Sequence, residues 1–144
     1  MLNLSSGRHI ITSGRALGKT TACEMFSDKY ANEGYRVCIA TKNAQSLYLH
    51  KRTEALEPRY MMGKYFDYVL MDEAATYDER EFLSCLTASE NIIAISTPRS
   101  GSYFNDFYIN CDWHKLRFYH DPSTNLIRYY TDELYKEEIL GQVK

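Results

Sequence analysis

Ile11-Thr12-Ser13-Gly14-Arg15-Ala16-Leu17-Gly18-Lys19-Thr20-Thr21 reads as a short strand that runs into a phosphate loop and then a helix. Gly18 lets the backbone approach an anion, and the loop amides and the helix N-terminus point at it. Lys19 suits the β- and γ-phosphates of a nucleotide, and the Thr20 hydroxyl suits Mg²⁺. Ser13, Gly14, Arg15, Ala16, Leu17, Gly18, Lys19, Thr20 and Thr21 are therefore the candidate nucleotide-binding residues. The usual pattern opens with glycine where Ser13 stands, and here a glycine follows one place later, at Gly14. Taken alone, a Gly-Lys-Thr triplet is equally compatible with a glycine turn before a helix, with Lys19 solvated.

Two further stretches follow in the order that such a loop requires. Tyr68-Val69-Leu70-Met71-Asp72-Glu73 is an apolar run ending in two acids. It reads as a buried parallel strand with carboxylates at its C-terminal end, the end at which open α/β sheets bind ligands. Asp72 is expected to hold Mg²⁺, directly or through water, and Glu73 to orient and deprotonate an attacking water. A strand ending in a solvated acidic turn would carry the same letters; its place after a phosphate loop favours catalysis. Asn91-Ile92-Ile93-Ala94-Ile95-Ser96-Thr97-Pro98 is another apolar strand, ending in two hydroxyls and a proline. In an additional-strand sheet it lies between the phosphate-loop strand and the acidic strand. Ser96 and Thr97 would then stand beside the γ-phosphate as sensors that couple its presence onward, although Ser, Thr and Pro also favour a plain strand-end turn.

The alternation of strands and helices along the chain predicts an α/β fold with a mainly parallel central sheet. Strands are expected at 9–12, 36–41, 66–71, 92–96, 115–120 and 126–130, the last two around a turn at Asp121-Pro122-Ser123-Thr124-Asn125. The first helix runs from Lys19 to about Glu33, with Gly34 at a favourable C-cap position. Asn43 is expected to cap a helix to about Leu56, stopped by Pro58. Asp78 caps a helix through about Thr87, a short helix covers 102–109, and Asp132 opens a final charged one.

A chain of 144 residues suits one domain with one core. A net charge of −2 gives no global basic field, so any DNA contact is local or multiplied by oligomerisation. Cys23, Cys38, Cys85 and Cys111 show neither a CxxC pair nor metal-ligand spacing, which points to reduced thiols in a cytoplasm. His9, His50, His114 and His120 are scattered, and no zinc is expected. No apolar run reaches membrane-spanning length, and the N-terminus lacks a signal-peptide pattern.

Ser13-Gly14-Arg15-Ala16-Leu17-Gly18-Lys19-Thr20 resembles the deviant phosphate loop of viral terminase large subunits, the motors that package DNA into phage capsids. An arginine commonly sits inside that loop, where Arg15 stands here. The acidic strand from Val69 to Glu73 is similar as well. More specific is Ser96-Thr97-Pro98-Arg99-Ser100-Gly101-Ser102-Tyr103-Phe104-Asn105-Asp106-Phe107-Tyr108, which looks like the family's Ser/Thr-Pro-x-x-Gly stretch followed by an aromatic helix that couples hydrolysis to movement. The resemblance spans roughly Arg8 to Tyr108 through these three islands.

The resemblance implies a motor ATPase with a RecA-like core, that is, a three-layer P-loop NTPase of the additional-strand type. ATP would be the substrate and Mg²⁺ the cofactor, held by Thr20 and Asp72. Glu73, Lys19 and Arg15 would be catalytic, with Arg15 contacting the γ-phosphate or triggering its release. The implied partners are double-stranded DNA, a portal protein, and a small terminase subunit or separate nuclease. Assembly would give a ring homo-oligomer in the host cytoplasm, with no membrane. A terminase large subunit also carries a C-terminal nuclease domain. A chain ending at Lys144 leaves no room for one, so residues 1–144 are expected to form a single ATPase domain. The interval from Thr20 to Asp72 is short for the family, and little precedes the first strand to build an adenine pocket. A lone RecA-like domain is expected to need an arginine supplied in trans, which makes the monomer weakly active.

Two other functions fit parts of the sequence. Asp72-Glu73-Ala74-Ala75 also resembles the DExx box of superfamily 2 helicases, though the second lobe is missing. A non-catalytic nucleotide-binding assembly module is opposed by the intact Lys19, Thr20, Asp72 and Glu73. Lys51, Arg52, Arg59 and Lys64, interleaved with Tyr48, Tyr60 and Tyr65, could meet a phosphate backbone, but a solvated helix face and loop is favoured. Tyr103, Phe104, Phe107 and Tyr108 have helical spacing and read as core before they read as a base-stacking platform.

Overall fold

The computed structural model describes residues 7–12, 19–42, 53–121, 123–124 and 126–131. Among them, strands β1 (Arg8–Thr12), β2 (Val37–Ala40), β3 (Thr53–Leu56), β4 (Tyr68–Asp72), β5 (Ile92–Ser96), β6 (His114–Asp121) and β7 (Leu126–Thr131) form one sheet. Helices α1 (Lys19–Asn32), α2 (Glu79–Leu86) and α3 (Tyr103–Asn110) cover it. The strand order is β3-β2-β4-β5-β1-β6-β7. The strands from β3 to β6 run parallel, and β7 closes antiparallel on β6.

The apolar strands are buried on both sides, and successive residues divide between two cores. Ile11, Val37, Ile39, Tyr68, Leu70, Ile93 and Ile95 face α1, where they meet Cys23, Phe26 and Tyr30. Ile10, Cys38, Ala40, Val69, Met71, Ile92 and Ala94 face the other way, onto Phe82 of α2 and Phe104 of α3. The result is three layers, with α1 on one face of the sheet and α2 and α3 on the other. The aromatic run of α3 is core, as its spacing suggests: Phe104 is fully buried, and Tyr103 and Phe107 pack against Phe82.

Local signals fix the helix ends. The Asp78 carboxylate accepts the Glu81 amide at 2.8 Å while the Glu81 carboxylate accepts the Asp78 amide at 3.0 Å, a complete capping box. The Ser102 hydroxyl accepts the Asn105 amide at 3.1 Å and caps α3. Gly34, with φ at 96°, turns the chain out of α1 as its C-cap position requires.

One expectation is overturned. The segment expected to end a helix at about Leu56 is instead β3, paired in parallel with β2 from Val37↔Thr53 to Ala40↔Leu56. Thr53-Glu54-Ala55-Leu56 carries no periodic signal of its own, and pairing with a buried strand outweighs the high helix propensity of Glu54, Ala55 and Leu56. Asn43, the expected cap, lies outside the described residues, as does the helix expected from Asp132. Pro58 opens a 3₁₀ turn, Pro58–Tyr60, rather than breaking a helix. The acidic strand starts at Tyr68, not Phe66; Phe66 is fully buried in the preceding loop, where its amide donates to the Ala88 carbonyl at 2.7 Å.

Candidate functional site

The parallel order brings the C-terminal ends of β1, β5 and β4 side by side. β5 lies between β1 and β4, with Thr12↔Ser96 and Asp72↔Ile95 in register. The chain leaves β1 at Thr12 and re-enters the described structure at Lys19, the first residue of α1. Ser13, Gly14, Arg15, Ala16, Leu17 and Gly18 lie outside the described residues. Lys19, Thr20 and Thr21 form the first turn of α1. The strand-end hydroxyls, the acids and the helix start thus share the carboxyl edge of the sheet, the edge where ligands enter open α/β folds.

Asp72 is the last residue of β4 and only 4% exposed. Strand alternation turns it, like Tyr68 and Leu70, toward α1. A carboxylate so far from water needs polar partners, and one of them is the Cys23 thiol, whose Sγ lies 3.9 Å from Asp72 Oδ1. Burial, and then the negative charge of Asp72, push the Cys23 thiol well above its ordinary value, so at neutral pH it remains an S–H donor. Cys23 follows Thr20 by three residues, one helical turn, so the Thr20 position on α1 neighbours the one that touches Asp72.

Glu73 has φ 52° and ψ 47°. It is the one non-glycine residue with positive φ among the described residues. A left-handed conformation at a side-chain-bearing residue costs about 1–2 kcal/mol, and such strain persists where the surroundings over-determine it. Here they do. The Glu73 carbonyl accepts the Thr76 hydroxyl at 2.7 Å and the Thr76 amide at 2.9 Å. The Ser96 hydroxyl accepts the Ala75 amide at 3.0 Å and tethers the turn to β5. The buried Tyr77 hydroxyl bridges the carbonyls of Ala40 and Asp72, tying the end of β2 to the end of β4. Lys42 donates to the Thr76 carbonyl at 2.7 Å and lies 3.3 Å from the Glu81 carboxylate. That ion pair is partly exposed and contributes about 0.2–1 kcal/mol. The buried Ser96 and Tyr77 contacts are costlier to remove, because each would strand a buried backbone group. Glu73 is therefore aimed by a rigid turn, half-buried at the site's edge.

The two expected sensor hydroxyls differ. Ser96 is fully buried and committed, accepting from Ala75 and donating to the Thr97 carbonyl at 3.2 Å. The Thr97 hydroxyl oxygen is buried and has no hydrogen-bond partner. The Thr12 oxygen, on the neighbouring strand and in a residue only 1% exposed, is in the same condition. Buried hydroxyls without partners are uncommon; among the described residues the Thr53 hydroxyl, at the opposite edge of the sheet, is the third.

Asp72 offers a hard-oxygen carboxylate at a strand end, the donor type that Mg²⁺ takes while phosphate and water fill its remaining positions. Among the described residues no cluster of three or more His, Cys, Asp or Glu could hold a metal ion. The cysteines are free thiols, with Cys23, Cys38 and Cys85 buried. Arg59, Tyr60 and Tyr65 of the basic stretch are exposed, and Arg59 is paired with Glu57 at 3.1 Å; Tyr48, Lys51 and Arg52 lie outside the described residues. No described helix is long and apolar enough to cross a membrane.

Sequence reasoning missed Thr12, Cys23, Lys42 and Tyr77. Thr12 and Cys23 flank the phosphate-loop stretch and were legible as neighbours of it. Lys42 and Tyr77 reach the site through tertiary folding and had no sequence signal. No protein-family model matches this chain, and no curated protein matches it.

Proposed function

We propose that this chain is a Mg²⁺-dependent ATP hydrolase of the additional-strand P-loop class, the ATPase part of a terminase-like motor that moves double-stranded DNA. The observation that carries the proposal is the position of β5 between β1 and β4. It aligns the end of the phosphate-loop strand, the hydroxyl pair and the acidic pair along one edge, in the order 12, 96–97, 72–73.

Roles follow from that order. Residues 13–18 and the amides of the first α1 turn bind the phosphates, with Lys19 on the β- and γ-phosphates. Thr20 and Asp72 would hold Mg²⁺, which would supply neutralisation of phosphate charge. Glu73, held in a fixed turn outside the strand end, orients a water and accepts its proton as the water attacks the γ-phosphorus. Thr97, whose buried hydroxyl has no partner among the described residues, would serve as the sensor of the γ-phosphate. Ser96 links that strand end to the Glu73 turn through Ala75, so a shift at the hydroxyls moves the base. The motor assignment rests on the resemblance of 96–108 to the coupling stretch of terminases and on α3, whose aromatic face packs on α2 directly behind the acidic turn.

ATP hydrolysis measured with Mg²⁺, with and without double-stranded DNA, tests both levels. Glu73→Gln is expected to lower kcat by about 10²–10⁴-fold, the usual worth of a general base, with nucleotide binding retained. Stimulation of the wild type by DNA supports the motor. Unchanged hydrolysis by Glu73→Gln would remove the catalytic assignment, and hydrolysis indifferent to DNA would remove the motor while leaving the ATPase.

A further inference from the structure

Among the partners of the buried Asp72 carboxylate is a thiol in the second turn of α1, with Sγ 3.9 Å from Oδ1. Cys23 is fully buried in the core cluster that includes Ile11, Phe26, Leu70 and Ile95. The same helix begins with Lys19 and Thr20. One rigid turn thus carries the phosphate-binding start of α1 at one end and the group touching the metal acid at the other.

We propose that Cys23 is a positioning residue for the metal site: its S–H holds the Asp72 carboxylate in the orientation that receives Mg²⁺ and fixes the distance between the phosphate-binding turn of α1 and the end of β4. This rests on the reading of Asp72 as a metal ligand. Outer partners that orient a ligand characteristically change metal affinity when removed, without touching the metal themselves. The competing role is a plain core residue, since free cysteine packs as a small hydrophobe. The two roles separate on substitution. Cys23→Val keeps an apolar group of similar size and loses the donor. Cys23→Ser keeps a donor and loses apolar contact.

The test is Mn²⁺ binding to the full chain with ADP, read by electron paramagnetic resonance, alongside the melting temperature of each variant. Asp72→Asn is expected to abolish specific Mn²⁺ binding. Cys23→Val is expected to weaken it about tenfold, the low end for an outer-shell partner, and Cys23→Ser to stay near wild type even where its melting temperature falls. Cys23→Ala, judged by the same criterion, replaces Cys23→Val if the latter does not fold. Wild-type Mn²⁺ affinity in Cys23→Val, or equal losses in Cys23→Val and Cys23→Ser, overturns the positioning role while Asp72→Asn still loses the metal. Wild-type affinity in Asp72→Asn overturns the metal assignment itself.

Discussion

The two edges of the parallel sheet are built on opposite principles. At the amino edge the polar groups preceding β1, β2, β4 and β5 form a linked ladder. Gly7 donates its amide to the Asn91 side chain at 2.8 Å, and the Asn91 amide group reaches the Asp67 carbonyl at 3.0 Å. Ser89 donates to that same carbonyl at 2.9 Å, and the Asp67 carboxylate accepts the Arg36 amide at 2.8 Å. The loop side chains here are spent on one another. At the carboxyl edge the described structure instead keeps a strained glutamate and a buried carboxylate against a thiol; hydroxyls without a partner among the described residues occur at both edges, Thr12 and Thr97 at this one and Thr53 at the other. An arrangement that only had to be stable would resemble the first edge at both ends. The second edge stores backbone strain, which is where an active site is expected to depart from local rules.

The core between the sheet and α2 responds to alkali through Cys38 of β2 and Cys85 of α2. Burial pushes the Cys38 and Cys85 thiols up to about 12. In the unfolded chain they ionise near their ordinary value of 9.0. The folded state thus keeps protons that the unfolded state gives up, so this stability is complete below about pH 9 and declines as pH rises toward 12. The slope approaches about 3 kcal/mol per pH unit for the pair. Urea midpoints measured between pH 8 and pH 10.5 are expected to fall steeply above pH 9, and a flat profile would contradict this burial.

Removing a link from the amino edge has a smaller effect. Asn91→Ala strips the Gly7 amide of its acceptor and the Asp67 carbonyl of a donor, and is expected to cost about 1–3 kcal/mol in urea denaturation. The smallest stability change belongs to the carboxyl edge. Glu73→Gly relieves the left-handed strain of about 1–2 kcal/mol against a glycine entropy cost of about 0.5–1 kcal/mol. Its stability is therefore expected to equal or slightly exceed that of wild type while hydrolysis is lost. A clear destabilisation by Glu73→Gly would mean that the side chain, not the turn, holds that conformation.

Much of this contrast was legible in the sequence. Continuous apolar runs at β1, β4 and β5 announced a parallel sheet, and their polar last residues announced which edge carries chemistry. Asp78, Ser102 and Gly34 signalled helix ends through chemistry confined to a few neighbouring residues. What stayed hidden depends on contacts between distant segments. β3 forms because β2 offers an edge, and nothing within Thr53-Glu54-Ala55-Leu56 says so. Tyr77 spans from Ala40 to Asp72, and Lys42 reaches Thr76, across separations that no local pattern encodes. The αL conformation of Glu73 was equally invisible, since glutamate carries no preference for it; Ser96, Thr76 and Tyr77 impose it jointly.

A single titration separates the roles of the two edges: equilibrium binding of Mg²⁺ with ATP to wild type, Lys19→Ala and Asn91→Ala. The carboxyl edge is predicted to own the nucleotide, so Lys19→Ala loses binding while its urea midpoint stays at the wild-type value. Asn91→Ala binds as wild type although it unfolds earlier. Undiminished binding in Lys19→Ala would contradict the assignment of this edge as a nucleotide site.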